Sequence, residues 1–397
     1  MSKPTKLPEG WKLVSLGEVG TLINGDRGKN YPSQKDFVDN GVPFINAGHI
    51  QNGEIDFESM NFISRKRFDL LGSGKVKSGD ILYCLRGSLG KTAIIKDIQE
   101  GAIASSLVII RPSEQIRTDY FYRYLASPIG QAEIYKYDNG SSQPNLSAQS
   151  LKQYQLPLPP LEEQRRIAAI LDKADGVRRK RKEAIRLTEE LLKSTFLEMF
   201  GDPVTNPKGW EIVNIENIIE LVSGQVDPRE SPYSNMLHVG GDNIESRTGE
   251  ISGCKTPAEL SLISGKYLFR KGDILYSKIR PYLNKVSLPD FDGVCSADIY
   301  PIRVNHSCVT PIYMTYILRS KGFLEYAEKH STRTNIPKIN RKALLSFECP
   351  LPPLGLQNQF TNSANKILKI KDHLKTGVDK ANNLFNSLLQ RAFRGEL

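Results

Sequence analysis

The strongest constraint on the fold of this chain is an internal repeat that extends through most of its 397 residues. Several short segments occur twice in the same order, with an offset of 193 residues between the copies. The repeated pairs are Gly79–Tyr83 and Gly272–Tyr276, Pro144–Leu146 and Pro337–Ile339, Pro157–Leu161 and Pro350–Leu354, Ser194 and Ser387, and Phe200 and Phe393. A Gly-Trp pair also opens each copy, at Gly10–Trp11 and Gly209–Trp210. We therefore expect two similar units in one chain.

Each copy begins with short runs that are rich in β-branched residues and bounded by Gly, Asp and Ser, a pattern that predicts strands. In the first copy these runs are Ile81–Leu85, Thr92–Ile95 and Ile103–Ile110. One embedded helix is expected to begin at Thr118 in the first copy and at Thr310 in the second. Pro311 suits the first helical position, because an N–H group there would have no partner within the helix. Strands and a helix in one unit predict an α+β fold.

Each copy ends with a long segment that has no internal proline, and we expect these segments to form helices at Leu161–Met199 and Leu354–Phe393. The apolar stripe comprises Ile167, Leu171, Ala174, Val177, Ile185, Leu192 and Met199 in the first helix, and Phe360, Ile367, Ile370, Leu374, Val378, Ala381, Phe385 and Leu388 in the second. One small domain could not cover so long and narrow a stripe, so the helices are expected to pair as a coiled coil. The alternative is two separate helices, each lying on its own domain.

The charge balance favours a polyanionic partner. The chain carries 54 Lys and Arg residues against 44 Asp and Glu residues, a net charge of +10, and lacks a basic amphipathic segment that would favour a membrane over nucleic acid. No apolar run approaches the length of a membrane span, and no secretory signal is evident.

The five cysteines form no C-x-x-C motif, which fits a reducing cytoplasm. Cys295, His306 and Cys308 lack a suitably spaced fourth zinc ligand, so buried thiols are expected instead.

Motifs for catalysis are missing. Gly87–Thr92 resembles the end of a phosphate-binding loop, but Leu85 stands where that motif requires glycine, and Thr92–Ile95 predicts a strand where it requires a helix. This turn either is solvated or directs Lys91, with Lys285 as its counterpart, towards a DNA phosphate. Neither an Asn/Asp-Pro-Pro-aromatic methylation motif nor a Pro-Asp…(Asp/Glu)-x-Lys nuclease motif is found. We assign no catalytic residue and expect a non-catalytic chain.

Polar loops supply the candidate DNA contacts, because Arg, Lys, Asn, Gln, Ser and Thr bind base edges and phosphates. Asn24–Tyr31 and Asn139–Asn145 are such loops in the first copy, and Ser223–Arg229 and Ser331–Lys338 are their counterparts. With the adjacent strand ends and turns, the candidates are Arg27, Lys29, Asn30, Arg86, Lys91, Ser142, Gln143, Asn145, Gln225, Arg229, Lys278, Arg280, Lys285, Arg333, Thr334, Asn335 and Lys338. Solvated loops are the alternative.

The basic run Arg178–Lys182 on the first long helix is interpreted as a solvated or partner-facing helix surface rather than a DNA contact.

The repeated order of these segments resembles the specificity subunits of type I restriction–modification systems. The resemblance is most specific at Pro157–Ala168, which reads Pro-Leu-Pro-Pro-Leu-Glu-Glu-Gln-Arg-Arg-Ile-Ala before the first long helix. The second copy departs from it with Gly355–Gln357 where the first has Glu162–Gln164. The resemblance implies two target-recognition domains of mixed β-sheet and helix, separated by two long antiparallel coiled-coil helices. The predicted segments are residues 1–158 and 201–350 for the domains, and 159–200 and 351–397 for the helices.

The same resemblance implies a function and a set of partners. The chain is expected to recognise a bipartite double-stranded DNA target and to direct two methyltransferase subunits and the restriction subunits to it. No cofactor is expected in this chain, while S-adenosylmethionine, ATP and Mg²⁺ are expected in the partner subunits. A stand-alone DNA-binding regulator or scaffold, or a single-chain restriction enzyme, is the alternative. The target bases and the length of the gap do not follow from the sequence.

Overall fold

The computed structural model describes residues 7–96, 98–137, 146–331 and 335–397. The chain forms two compact units: unit 1 comprises Met1–Lys182 with Lys375–Leu397, and unit 2 comprises Glu183–Leu374. Each unit therefore contains a globular part and one half of each long helix. The boundaries of the four segments predicted from the sequence stay a prediction.

Unit 1 contains two main sheets with different topologies. Its strands are β1 Lys12–Ser15, β2 Gly20–Asn24, β3 Phe37–Val38, β4 Val42–Ile45, β5 Ile50–Gln51, β6 Glu54–Ile55, β7 Asn61–Ile63, β8 Lys75–Val76, β9 Ile81–Cys84, β10 Thr92–Ile94, β11 Gly101–Ile103, β12 Leu107–Pro112 and β13 Gln155–Leu158. One sheet has the antiparallel order β10-β9-β12-β2, and the other has the mixed order β3-β7-β4-β11-β8 with β4 parallel to β11. The pairs β1-β13 and β5-β6 form small ribbons.

The central strands β9 and β12 are buried on both faces. Ile81 and Tyr83 pack into a core with the helices, whereas Leu82 and Cys84 face a second core. Burial of both faces removes the alternation of apolar and polar residues, which explains the continuous apolar run Leu107–Ile110. The prediction of one strand over Ile103–Ile110 is wrong, because a turn in which the Leu107 N–H donates to the Ala104 carbonyl separates β11 from β12.

Unit 2 repeats this architecture. Its strands are β14 Glu211–Asn214, β15 Ile219–Leu221, β16 Gln225–Val226, β17 Leu237–Val239, β18 Lys266–Phe269, β19 Ile274–Ser277, β20 Val286–Ser287, β21 Gly293–Cys295, β22 Ile299–Val304 and β23 Glu348–Leu351. The sheets have the orders β15-β22-β19-β20, β16-β18-β21-β17 and β14-β23, and β17 runs parallel to β21. The prediction of two repeated α+β units with mixed sheets is confirmed.

The embedded helices begin where the sequence predicts, but each is followed directly by a second helix. The helices are α1 Leu16–Val19, α2 Arg65–Leu70, α3 Thr118–Ala126, α4 Pro128–Lys136, α5 Ala148–Lys152, α6 Leu161–Phe200, α7 Pro311–Arg319, α8 Lys321–Lys329, α9 Arg341–Leu345 and α10 Leu354–Arg394. The hydroxyl of Thr310 accepts from the Tyr313 N–H at 3.3 Å and caps α7 as expected. Ser127 and Ser320 each end one helix and cap the next, so the expectation of one embedded helix per copy is wrong.

The two long helices, α6 and α10, are confirmed to within one residue of the predicted bounds. In unit 1, Ile167 and Leu171 of α6 share a core with Phe385 and Phe393 of α10. In unit 2, Phe196 of α6 packs against Phe360 of α10, with ring centroids 5.5 Å apart. Within each unit, the two helix halves therefore pack on each other.

The packed face of these helices agrees with the predicted stripe only in part. The buried stripe residues are Ile167, Leu171, Leu192, Phe360, Val378 and Phe385. In α10, one row of buried residues recurs every seven positions, at Ala364, Lys371, Val378, Phe385 and Ala392, and Phe360, Leu389 and Phe393 are buried beside it. The predicted stripe contains Ile370, but its neighbour Lys371 is the buried residue, and Ile370 is 56% exposed. The two side chains differ in this way because one residue turns the helix by about 100°. The corresponding residue of α6, Val177, is 46% exposed, whereas Asp175 is buried.

Candidate nucleic-acid interface

The same main-chain hydrogen bond joins a candidate strand end to the residue after a candidate loop in each unit. In unit 1, the Leu146 N–H donates to the Leu85 carbonyl at 3.0 Å, and in unit 2 the Ile339 N–H donates to the Lys278 carbonyl at 3.0 Å. The bond joins the end of the central strand, β9 or β19, to the residue that follows a polar loop. The predicted contacts Ser142, Gln143, Asn145, Arg333 and Thr334 lie in those loops, outside the described residues.

In unit 1, these elements border a cleft of about 410 Å³. It is lined by Leu22, Asn24, Arg27, Leu85, Arg86, Leu146, Ser147, Ala148, Gln149 and Lys152. The cleft brings together Arg27 and Arg86, two predicted contacts that are 59 positions apart in the sequence. Sequence reasoning missed Lys152 and Gln149, because they lie on a short helix rather than in a polar loop.

The loop that carries Arg27 is held by Asp26. The Asp26 carboxylate accepts from the main-chain N–H groups of Gly28 at 2.7 Å and Gly72 at 2.8 Å, and these bonds lower the pKa of Asp26. Asn30 donates its side-chain amide to the Leu70 carbonyl at 2.9 Å, which ties the far end of the loop to α2. Lys29 is exposed between these two fixed points.

Lys91 and Lys285 occupy equivalent places and make the same contact. The ammonium group of Lys91 donates to the Ala47 carbonyl at 3.4 Å, and that of Lys285 donates to the Gly241 carbonyl at 2.6 Å. Both lysines thus reach a 3₁₀ turn of their own unit. The strand predicted after Lys91 is confirmed as β10. Contact of either lysine with a DNA phosphate stays a prediction.

In unit 2, the strand end after β19 and the loop before α9 are joined at further points. Ile279 and Lys338 form an antiparallel bridge, and the Arg280 N–H donates to the Pro337 carbonyl at 2.7 Å. Lys338 and Arg280 are exposed on adjoining segments as a result, and Asn335 is exposed three residues before Lys338. The Lys278 ammonium donates to the Ala297 carbonyl at 2.6 Å.

The other two candidates of unit 2 lie on a strand of a different sheet, β16, and in the loop that follows it. Gln225 lies on β16 and is exposed. Arg229 forms a two-point ion pair with Asp227, and these hydrogen bonds lower the pKa of the Asp227 carboxyl to about 2. The guanidinium of Arg229 therefore already has an anionic partner within its own loop.

The basic run on α6 is partly bound within unit 1. Arg178 and Arg179 both pair with the buried Asp175, and the Arg178 guanidinium lies 4.5 Å from the ring centroid of Phe385. Burial acts to raise the pKa of Asp175, but the positive charges of Arg123, Arg178 and Arg179 outweigh it, so this pKa is lowered. Arg178 is only partly exposed as a result, whereas the rest of the run, Arg179–Lys182, is exposed as predicted. Contact of this run with a partner stays a prediction.

A buried glutamine fixes the start of each long helix to the recognition unit. The Gln164 carbonyl accepts from the Arg117 N–H at 2.8 Å, and its amide donates to the carbonyls of Pro159 and Gln115. Gln357 makes the same set of bonds, to the Thr310 N–H at 2.9 Å and to two carbonyls. The internal repeat could have identified these glutamines. Gln164 and Gln357 are 193 residues apart, so both copies have the glutamine although the two residues before it differ.

Neither a membrane span nor a metal-binding cluster is present in the described part of the chain. Within it, no helix is both long and apolar enough to span a membrane. Within the same residues, no cluster of three or more His, Cys, Asp or Glu side chains has an arrangement that could hold a metal ion.

Comparison with known proteins identifies the family. Residues 8–187 and 207–374 each match the family described as the Type I restriction modification DNA specificity domain. The chain belongs to this family. The prediction of a type I specificity subunit is thereby confirmed, together with a role in recognising DNA rather than in catalysis.

Individual relatives of this specificity subunit match over nearly its full length. It is 28% identical to the EcoDI specificity subunit of Escherichia coli, over 99% of this chain and 90% of the relative. It is 30% identical to the MjaVIII specificity subunit of Methanocaldococcus jannaschii, over 97% of this chain and 93% of the relative.

Solved structures show the same fold. The S subunit of a type I restriction–modification system from M. genitalium gives a TM-score of 0.59 at 13% identity, with 99% of this chain and 98% of that chain covered. A chain from a structure concerned with complex assembly and conformational transition of the type I R-M system gives a TM-score of 0.56 at 21% identity, with 99% and 100% covered.

Proposed function

We propose that this specificity subunit recognises a double-stranded DNA target made of two separate half-sites, one for each unit. The observation that carries the proposal is the repeated hydrogen bond, Leu146 to Leu85 and Ile339 to Lys278, that joins a candidate strand end to the residue after a candidate loop in each unit. Exposed Arg, Lys and Asn side chains near these bonds suit contacts with phosphates and base edges. Two copies of one surface in a single chain suit a target with two halves.

The test is to produce the chain with the methylation subunit of its own system in a host that lacks other DNA methylation, and to sequence the methylated sites. We expect a motif with two specified halves and an unspecified gap. Changing Asn335 and Lys338 to Ala should relax only one half, by about 1–3 kcal/mol for each bidentate hydrogen-bonded pair with a base that the substitution removes. A motif without a gap, or relaxation of both halves by these substitutions, would contradict the proposal.

The two long helices would determine the distance between the half-sites. Support comes from their continuity, since α6 has 40 residues and α10 has 41, and from the packing of the two helix halves within each unit. An antiparallel coiled coil that separates two recognition domains fits both features. Because each unit holds half of both helices, a change in the length of one helix would have to be matched in the other.

The partners would be two methyltransferase subunits, which carry S-adenosylmethionine, and restriction subunits, which carry ATP and Mg²⁺. Exposed apolar residues that repeat at the offset of 193 support two equivalent docking positions. Leu191 is 51% exposed and its counterpart Leu384 is 59% exposed. Adjoining exposed apolar side chains mark contacts with other proteins, and Leu191 lies one helical turn after Leu187, which is 49% exposed. The free thiols of all five cysteines fit a reducing cytoplasm as the location.

A further inference from the structure

The cleft of unit 1 concentrates positive charge from separate parts of the chain. Arg27 follows β2, Arg86 follows β9, and Lys152 is the last residue of α5. Among the described residues that line the cleft, none is acidic. Positive charges around one concave surface with walls of low dielectric produce a combined field that attracts an anion.

Unit 2 differs at the corresponding place. Arg341 stands there in the position of Ala148, at the first residue of the short helix. Its guanidinium donates to the carbonyl of Leu221. Leu221 corresponds to the cleft residue Leu22, because each pairs with the same position of the central strand, β22 or β12. Unit 2 thus places an arginine side chain where unit 1 leaves an opening.

We propose that the cleft of unit 1 binds a phosphodiester group of the DNA backbone in the half-site that unit 1 recognises, and that unit 2 has no equivalent phosphate-binding cleft. The inference rests on the proposed function. Three of the ten lining residues are cations and none is acidic, which favours an anionic phosphate over an uncharged base edge. The cleft has a volume of about 410 Å³, which leaves room for the adjoining sugar.

The test measures binding of fluorescent duplexes by the complex of this chain with its methylation subunits, over a series of salt concentrations. Replacing Lys152 with Ala should reduce the salt exponent of the binding constant by about 0.9, the value for one phosphate contact. Affinity should fall equally for duplexes with the preferred base and with altered bases in that half-site. Lys152→Arg should restore the exponent, and Lys66→Ala, which removes an exposed charge outside the cleft, should leave it unchanged.

A second variant separates occupation of the cleft from total charge. Ala148→Arg gives unit 1 the arginine of unit 2, so it should fill the cleft and weaken binding although it adds a positive charge. Stronger or unchanged binding would overturn the proposal. So would an altered base preference in Lys152→Ala, an unchanged exponent in that variant, or an equal reduction in Lys66→Ala.

The unsubstituted complex distinguishes this inference from the proposed function. If that complex shows no preference for a two-part target, the proposed function fails. If the preference is present but the cleft variants bind as the unsubstituted complex does, only the inference that the cleft binds a phosphate is contradicted. Thermal unfolding of each variant should match that of the unsubstituted chain, because Lys152 is exposed and Ala148 is only partly buried.

Discussion

His238 occupies a position in unit 2 that Phe44 occupies in unit 1, because each lies on the strand that pairs in parallel with β21 or β11. The imidazole is buried, and its Nε2 atom has no hydrogen-bond partner among the described residues. Burial lowers the pKa of His238 from its usual 6.5, and the positive charge of Lys266 lowers it further. The folded chain therefore keeps this histidine neutral at a pH where the unfolded chain would protonate it.

We expect acid to destabilise unit 2 through this residue. As the pH falls from about 6.5 through the lowered pKa of His238, the unfolded state binds the proton more readily, so the free energy of unfolding decreases. His238→Phe should reduce this decrease, which denaturant unfolding at pH 7.5 and at pH 5.5 would measure. Part of it should remain, because burial also lowers the pKa of His49. An equal decrease in the variant and the unsubstituted chain would show that His238 does not contribute.

Residue types alone indicate many of the exposed candidates for DNA contact, but they do not reveal which charged side chains are buried. Arg27 and Lys338 are predicted because polar loops favour them, and both are exposed. The sequence does not single out Lys371, because lysine is rarely buried without a partner. Its ammonium lies 2.7 Å from both Glu189 and Glu250, an arrangement that no local pattern reveals because these carboxylates are distant in the sequence.

Among the elements, the long helices carry the sharpest prediction. Four residues inserted after Ala184 in α6, with four more after Leu374 in α10, should lengthen both helices by about 6 Å and nearly preserve their packed faces. At ~3.4 Å per base pair, the preferred gap in the target should grow by one or two base pairs. Sequencing of the methylated sites measures the gap, and the two halves of the motif should stay the same.

Two controls accompany this experiment. Paired inserts of two residues should rotate each packed face by about 200° and destabilise the chain. Four residues inserted in α6 alone should also destabilise it, because α10 packs on α6 in both units. An unchanged gap with the paired four-residue inserts would show that the helices do not determine the spacing.

At the scale of the whole molecule, the repeat predicts two equivalent docking positions. Leu191→Lys and Leu384→Lys should each remove one methyltransferase subunit from the complex, and the double variant should remove both, because a charge replaces an exposed apolar contact. Native mass spectrometry of the coproduced complex would count the subunits. Asn386→Lys is the control, since it adds the same charge about 200° around α10 from Leu384. Full occupancy in the double variant would contradict this docking position.

The sequence by itself determined that the chain has two similar α+β units, where the long helices begin and end, and to which family it belongs. These features depend on local signals: the repeated segments, the helix cap at Thr310, and the recurrence of apolar residues along α6 and α10. A cap or a helical period acts between residues only a few positions apart, so it can be recognised without the rest of the fold.

Only the tertiary structure decided which of the polar segments meet. Leu146 lies beside Leu85 because β9 and the loop before α5 are brought together by folding of the whole unit. The same folding leaves a basic cleft at Ala148 and fills the corresponding place with Arg341. Contacts between residues far apart in the chain depend on the packing of every element between them, which is why local sequence patterns did not reveal the cleft.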